Sequence, residues 1–335
     1  MKKKLSVLLS ALFLFGLLTG CGGNPGTGST VGGGSLSGAS YSQGNLTFTT
    51  GGDQGTYYAL GSVLAGQISA VTDTKVTAIT SGGSQANILA LSDGDAQLGF
   101  VQSDVMSYAY EGTNLFDTAV TDFSVVAALY TEQVQIVTLN PELKSVADLA
   151  GKTVSVGDAG SGTYFNAVDI LNAYGLDVDS DINPVYESFG TSADSLQDGK
   201  IDAAFVVAGA PTNAITSLAA TKDVYLIGID DTHANALIAS SPYYTQNVIP
   251  AETYNLPGDV PTVAVGAVVI AHDVVSEDDV YNVVSGIFEH LDDVGASHAK
   301  GTELNLEFAA SVTSVPYHPG AARYFSEKGF DVPVK

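Results

Sequence analysis

The sequence is poor in cysteine, arginine and tryptophan. Its 335 residues include one cysteine, Cys21, one arginine, Arg323, and no tryptophan. A single cysteine excludes an internal disulfide and every multi-cysteine zinc or iron–sulfur site. A single arginine limits the bidentate guanidinium contact, which many proteins use to bind carboxylate or phosphate, to one place at most.

Basic residues are scarce as a class. The chain has 12 lysine and arginine residues against 36 acidic ones, which gives a formal net charge of −24 at pH 7. Phosphate binding needs clustered lysine and arginine, so this composition argues strongly against a nucleic-acid partner. Because 45% of the residues are hydrophobic, the chain is nevertheless expected to fold, and its length predicts about two domains.

Residues 1–20 are predicted to be an export signal. Three lysines precede a nearly continuous apolar run from Leu5 to Leu18, and this run is too short for a comfortable membrane span. The stretch Leu18–Cys21 resembles the lipobox of bacterial lipoproteins, in which the cysteine becomes the lipid-modified first residue. The alternative is a plain secretory signal with an incidental cysteine.

Residues 21–44 are rich in glycine, serine and threonine and carry no charged side chain. This composition predicts a flexible tether between the lipidation site Cys21 and the folded part. Two acyl chains anchor a protein stably where one does not. We therefore expect an extracytoplasmic protein that is lipid-anchored to the outer face of the cytoplasmic membrane, at the cell surface or in the periplasm.

Beyond residue 44, apolar strand-like runs alternate with segments of helical periodicity, which predicts an α/β fold with mainly parallel sheets. An internal repeat supports two similar lobes. Leu91–Val101 matches Leu196–Val206 at a constant offset of 105 residues, and each copy contains a helix end, an Asp-Gly turn and a buried strand. The alternative is chance similarity of short glycine-containing turns, and the length of the match argues against it.

The second copy of the repeat is not followed by a third. Residues 232–262 are predicted to be irregular, and an apolar strand is predicted over Thr262–Ala271. A helix is then predicted from Glu277 to about Asp292, and a last helix from Ala321 to Lys328. We expect this C-terminal segment to return to the first lobe.

The segment Val154–Thr163 carries the strongest local signal for a binding site. Its glycines stand between a predicted strand and a predicted helix, where backbone N–H groups converge and bind anions. The hydroxyls of Ser161 and Thr163 add donors. Because arginine is nearly absent, this loop is the most plausible carboxylate receptor of the chain. The alternative is an ordinary strand–helix turn with Thr163 as the helix N-cap.

Three loops of the first lobe have the same character. Gly51–Tyr58, Ser81–Gln85 and Gln102–Asp104 each follow a predicted strand. Ligands of open α/β sheets bind outside the carboxyl ends of the strands, so we expect these loops to meet at one rim.

Motifs of other kinds of site are absent from the sequence. Gly160–Phe165 fails the dinucleotide fingerprint because Phe165 occupies the place of its third glycine. The five histidines form no metal-binding pair, and no nucleophile elbow is present. The acidic run Asp177–Asp181 departs from a calcium loop at Ile182 and Ser188. No catalytic residue, metal ion or cofactor is predicted.

Ordered motifs occur at Thr49–Tyr58, Ser81–Asn87, Gly160–Thr163, Val260–Val263 and His318–Phe325. Through these motifs the chain from about residue 45 to 330 resembles the TAXI-type solute receptors of the tripartite ATP-independent periplasmic (TRAP) transporters. The resemblance implies a two-lobed, periplasmic-binding-protein-like (type II) α/β fold with a ligand cleft between the lobes and a two-strand hinge. The family is associated with glutamate, related amino acids and small organic acids such as dicarboxylates.

The resemblance also implies partners and a division of the chain. A small anionic organic solute and the permease subunits of a TRAP transporter are the expected partners, and no enzymatic activity is expected. Lobe 1 is expected to comprise residues 45–133 and 260–335, and lobe 2 residues 134–259. The crossing strands are expected near Glu132–Val137 and Tyr254–Val263.

The expected ligand-binding residues are those that match the binding loops of the family. Ala208–Pro211 is added to them as the second-lobe counterpart of Gln102–Asp104. Arg323 is instead expected to pair with Glu327 on a packed helix. A sensory ligand-binding lipoprotein, or an enzyme of two-lobed shape, remains an alternative. The expected ligand-binding residues are Gly55, Thr56, Tyr57, Ser81, Ser84, Gln102, Ser161, Gly162, Thr163, Ala208, Gly209 and Pro211.

Overall fold

The computed structural model describes residues 43–114 and 116–335. The predicted export signal, Cys21 and all but the last two residues of the predicted tether lie outside the described residues. Among the described helices, none combines the length and the apolar character that crossing a bilayer requires.

Ten strands of the described chain form one mixed sheet. They are β1 (Asn45–Thr49), β2 (Lys75–Ile79), β3 (Leu98–Gln102), β4 (Phe123–Thr138), β5 (Thr153–Ser155), β6 (Asn183–Val185), β7 (Ala203–Ala208), β8 (Tyr225–Ile227), β9 (Thr245–Ile249) and β10 (Val260–His272). The main path of the sheet runs β2-β1-β3-β10-β4-β7-β5-β6, while β8 pairs with β4 and β9 pairs with β10.

Helices follow most of the strands and cover the sheet. They are α1 (Thr56–Val71), α2 (Ser84–Ser92), α3 (Ser103–Glu111), α4 (Gly162–Ala173), α5 (Phe189–Gln197), α6 (Asn213–Ala219), α7 (Asp231–Ser240), α8 (Glu277–Phe288), α9 (Leu291–Ser297), α10 (Leu306–Ala309) and α11 (Pro319–Glu327). Short 3₁₀ turns occupy Val146–Leu149, Ala251–Thr253 and Ala299–Glu303.

The two long strands β4 and β10 run antiparallel through both halves of the sheet. Their register extends from Ala264 opposite Gln133 to His272 opposite Phe123. At Gln133 strand β4 begins to pair with β7, and β10 pairs with β9 up to Ala264. The sheet therefore divides into lobe 1, with β1–β3, and lobe 2, with β5–β9, joined by β4 and β10.

Each lobe has its own hydrophobic core. The core of lobe 1 packs β1, β3 and α1 against the C-terminal helices, with Phe48, Phe100 and Phe325 buried in it. Lobe 2 has a core on each face of its sheet: neighbouring Phe205 and Val206 of β7 belong to opposite ones, since side chains alternate along a strand. Residues of the C-terminal segment, Phe325 among them, pack in the core of lobe 1.

Several predicted elements are confirmed. The Asp-Gly turns of the repeat end α2 and α5, and both glycines, Gly94 (φ 80°) and Gly199 (φ 69°), take the left-handed conformation. The helix predicted to start at Glu277 does so, with Ser276 as its N-cap. It ends at Phe288, and a separate helix, α9, follows.

Two predictions about the segment before β10 are wrong. The segment predicted to be irregular over residues 232–262 contains most of helix α7 and all of strand β9. Helix α7 buries only two residues, Ala234 and Leu237, so its apolar periodicity is weak. The second crossing strand begins at Val260, and the predicted part before it, Tyr254–Asp259, lies outside the sheet.

Candidate functional site

A cavity of about 50 Å³ lies between the lobes. It opens at the carboxyl ends of β1, β2, β3, β5 and β7. The polar loops predicted from the sequence lie at these strand ends. One water needs about 10–15 Å³ of such space, so the cavity suits a small molecule. Its lining residues are Gly51, Gly52, Gly55, Thr56, Tyr57, Gly82, Gly83, Ser84, Gln102, Glu132, Asp158, Ser161, Gly162, Thr163, Phe189, Val207 and Ala208.

Three helices direct their N-terminal ends at this cavity. Helices α1, α2 and α4 begin at Thr56, Ser84 and Gly162, and in each both this residue and the N-cap before it line the cavity. A helix N-terminus favours a negative group by about 0.3–1 kcal/mol, and by more when it is partly buried. The backbone N–H groups of Gly162 and Thr163 donate to no acceptor within the described chain. They are free to bind an anion.

Helix α4 is capped by Ser161 rather than by Thr163. The Ser161 hydroxyl accepts a hydrogen bond of 3.2 Å from the backbone N–H of Tyr164, and Thr163 is already inside the helix and buried. The alternative in which Thr163 is the N-cap is therefore wrong. Ser161 closes the first turn of the helix and leaves the N–H groups of Gly162 and Thr163, two residues of the cavity lining, without an acceptor within the described chain.

Gly162 lies where the two lobes approach closely in the cavity lining. A β carbon added to it would overlap the Gln102 side chain of lobe 1 and lie 2.8 Å from the Ser84 hydroxyl oxygen. A side chain at this position would therefore push the lobes apart. Glycine is required here by space.

Glu132 lies in the cavity wall and is 2% exposed. Its carboxylate oxygen accepts a hydrogen bond of 2.8 Å from the Tyr57 hydroxyl. Burial raises the pKa of Glu132 to about 8, although the hydrogen bond from Tyr57 acts in the opposite direction. At neutral pH this carboxyl group holds its proton, so it adds little negative charge to the cavity.

The cavity also presents hydrogen-bond acceptors. The Gln102 side-chain oxygen is buried and has no hydrogen-bond partner within the described residues. Asp158 contributes a carboxyl group whose pKa burial raises. No lysine or arginine is among the described lining residues. Lys300 lies behind the wall, where its ammonium nitrogen is 2.6 Å from Glu303 and 5.9 Å from the centre of the Tyr130 ring.

Most of the expected ligand-binding residues meet at this cavity, and three do not. The Ser81 hydroxyl accepts from the N–H of Gly83 within its own loop, and the Gly209 carbonyl accepts a 2.9 Å hydrogen bond from Thr56 across the lobes. Pro211 follows a cis peptide bond after Ala210. The expected residues in the lining are Gly55, Thr56, Tyr57, Ser84, Gln102, Ser161, Gly162, Thr163 and Ala208.

Arg323 lies away from the cavity. Its guanidinium group is 3.0 Å from a Glu277 oxygen and 3.1 Å from an Asp278 oxygen, and it covers the Tyr281 ring at 4.2 Å. The predicted partner Glu327 instead accepts a hydrogen bond from Tyr281. The expected Arg323–Glu327 pair is therefore wrong, because the neighbouring helix α8 offers two closer carboxylates.

Within residues 43–114 and 116–335, no three histidine, cysteine or carboxylate side chains are grouped so that they could hold a metal ion. The polar groups of the cavity are backbone N–H groups, hydroxyls, one amide and two carboxyl groups. This set suits the binding of a small polar molecule.

Two solved structures with TM-scores above 0.5 share the two-lobed fold. MatC from Rhodopseudomonas palustris with bound malate is 16% identical, with 77% of this chain and 88% of that chain covered and a TM-score of 0.55. A protein from Bordetella bronchiseptica RB50 is 13% identical over 85% and 89% of the two chains, with a TM-score of 0.52. The alkanesulfonate-binding protein SsuA from Xanthomonas axonopodis pv. citri, bound to MOPS, is 15% identical over 86% and 92%, with a TM-score of 0.49.

Identities this low establish the fold alone, which is the two-lobed α/β fold of periplasmic binding proteins. The expected fold class is thereby confirmed. The family is shown by the sequence itself, since residues 48–329 match the model of the NMT1-like family. That match spans both lobes and the whole cavity lining. The chain belongs to the NMT1-like family.

Proposed function

We propose that the chain is the extracytoplasmic solute-binding lipoprotein of a TRAP transporter. It captures a small organic acid between its lobes, closes over it and delivers it to the membrane permease. The observation that carries the proposal is the convergence of three helix N-termini, those of α1, α2 and α4, on one small cavity between the lobes. The TAXI-type resemblance of the sequence supports the same role.

The carboxylate of the solute is proposed to bind the free N–H groups of Gly162 and Thr163. Exclusion of water strengthens such hydrogen bonds, because the effective dielectric constant falls when the cavity closes. The proton on Glu132 matters here, since an ionised carboxylate in the wall would repel an anionic solute. Recognition thus needs no arginine.

The acceptor groups of the cavity narrow the choice of solute. The unpartnered oxygen of Gln102 calls for a donor on the solute, and Asp158 lies in the same wall. A buried acceptor left without a partner is unfavourable by about 1–3 kcal/mol. We therefore propose that the solute is a glutamate-like amino acid rather than a simple dicarboxylate.

Calorimetric titration with L-glutamate, L-malate, succinate and methylammonium tests the solute class. The proposal expects heat of binding for at least one of the three acids and none for methylammonium, which has no carboxylate. Binding of L-glutamate but not succinate supports the role of Gln102. Binding of methylammonium alone, or of none of the four, contradicts the proposed solute class.

The lipid anchor and the permease are tested separately. Cys21→Ser is expected to move the protein from the membrane fraction to the soluble fraction, and mass spectrometry of the wild-type protein is expected to find a lipid on Cys21. A gene for a multi-span TRAP permease beside this gene supports transport. A neighbouring histidine kinase gene would instead support the sensory alternative.

A further inference from the structure

Helices α3 and α4 are connected to each other one turn beyond the cavity. Asp104, in the first turn of α3 in lobe 1, accepts a hydrogen bond of 2.8 Å from the side-chain amide of Asn166 on α4 in lobe 2. The same amide donates to the Tyr244 hydroxyl at 2.7 Å, and Tyr244 donates to Asp169 at 3.0 Å. These four side chains form a hydrogen-bonded chain from lobe 1 to lobe 2.

An apolar contact between the lobes lies beside this chain. Phe165, which precedes Asn166 on α4, is 1% exposed and belongs to the core of lobe 1 rather than to that of lobe 2. Its ring centre is 6.3 Å from that of Tyr108 on α3 and 5.8 Å from that of Phe116. Helix α4 thus inserts a side chain into the opposite lobe.

The polar groups of this hydrogen-bonded chain of side chains lose their hydration when they are buried. Asp104 and Asn166 are fully buried, and each has a side-chain oxygen without a partner within the described residues. Opening of the lobes would return these oxygens to water, and this gain opposes the hydrogen bonds that are lost. Burial of these two oxygens therefore works against the closed arrangement.

We propose that Phe165 and the chain Asp104–Asn166–Tyr244–Asp169 form a latch that holds the lobes closed. Its members are absent from the cavity lining, so they act by position and not by contact with the solute. Both latched helices border the cavity, α3 through Gln102 at its N-cap and α4 through Gly162. Release of the latch would widen the cavity and speed the loss of solute.

The latch is tested first without added solute, by measuring the distance between the lobes. Spin labels are placed on Val71→Cys, at the end of α1, and on Lys222→Cys in lobe 2, both exposed positions, with Cys21 replaced by serine. We expect a closed population in the otherwise unchanged protein. Asn166→Ala is expected to shift the open-to-closed ratio by about tenfold, and Tyr244→Phe to shift it less.

Asn87→Ala is the matched control. Asn87 is also fully buried, but its amide donates to the carbonyls of Thr50 and Phe100, both within lobe 1. This variant is expected to lower the melting temperature without changing the distance between the lobes. A shift equal to that of Asn166→Ala would contradict the latch, since it would make the opening a general effect of lost stability.

A second readout is the rate at which L-glutamate or L-malate is released, measured by stopped-flow. The latch predicts release at least about tenfold faster from Asn166→Ala than from the wild type. Unchanged distances in folded Asn166→Ala and Tyr244→Phe overturn the latch, as does a wild type that is wholly open. If Asn166→Ala does not fold, Tyr244→Phe carries the test. If the label-to-label distances change in the variants but the wild type binds neither acid, the latch is supported and the proposed solute is contradicted.

Discussion

Tyr57 and Glu132 form a buried hydrogen bond of 2.8 Å in the wall of the cavity. Tyr57 stands in the first turn of α1, and Glu132 lies on β4 next to Gln133, the point at which that strand changes partners between the lobes. The bond therefore connects a helix of the cavity to the crossing strand. It also places a protonated carboxyl group in the wall of the cavity that is proposed to hold the solute.

The pKa of Glu132 predicts how stability depends on pH. Burial raises this pKa from 4.5 to about 8, so between these values the folded protein holds a proton that the unfolded chain releases. The stabilisation is complete below about pH 4.5 and is lost as the pH rises through 8. We expect the free energy of unfolding to fall across this window by on the order of a few kcal/mol. The melting temperature is expected to fall with it.

Glu132→Gln isolates this effect, because glutamine does not titrate. The fall in melting temperature between pH 5 and 8.5 is expected to be smaller in this variant than in the wild type. Asp292→Asn, which removes an exposed carboxylate, is the control and is expected to keep the wild-type slope. Equal slopes in all three proteins would show that Glu132 does not hold a proton at neutral pH.

Gly162→Ala is expected to impair binding of the solute. The added methyl group overlaps the Gln102 side chain and approaches the Ser84 hydroxyl, so the lobes close only after these groups shift. We expect the affinity for the bound acid to fall by tenfold or more, as measured by calorimetry.

The control for Gly162→Ala is Gly66→Ala, in the middle of α1, where an added β carbon meets nothing within 4 Å. That variant is expected to bind normally and to gain about 0.5–1 kcal/mol in stability, because alanine favours the helix. Undiminished binding by Gly162→Ala would refute the proposed position of the carboxylate.

Arg323→Gln is expected to leave solute binding unchanged. The guanidinium group pairs with Glu277 and Asp278 on the surface of lobe 1, and it is partly exposed. Such pairs contribute about 1 kcal/mol or less, so the melting temperature should fall slightly. A large loss of affinity by calorimetry would mean that the one arginine of the chain takes part in recognition after all.

The sequence predicts the repeating α/β organisation and the loops of the cavity because glycine and hydroxyl residues stand at the ends of apolar runs. It does not predict Glu132 as part of the site, although a signal was present. Glu132 is the one acidic residue within the 16-residue strand β4. A carboxyl group within a strand that is expected to cross between the lobes is such a signal, because burial of an unpaired charge is unfavourable.

Other parts of the structure leave no clear pattern in the sequence. Strand β9 lies at an edge, and most of its residues are exposed, so neither apolar alternation nor continuous burial marks it. Phe165 is an apolar residue on a helix, which predicts burial but not in which lobe. The contact between Asp104 and Asn166 depends on how the lobes meet, and residues 62 positions apart give no local sign of it.

Native mass spectrometry of the protein, purified from its own cells without denaturation, tests the central claim most directly. Wild type is expected to carry one small organic acid per chain, and Gly162→Pro is expected to carry none, because it removes an N–H group of the cavity and sets its ring against the Gln102 side chain. The Gly66→Ala protein should retain the acid. A wild type without any bound small molecule that also fails to take up L-glutamate or L-malate would contradict the account, and so would equal retention by Gly162→Pro.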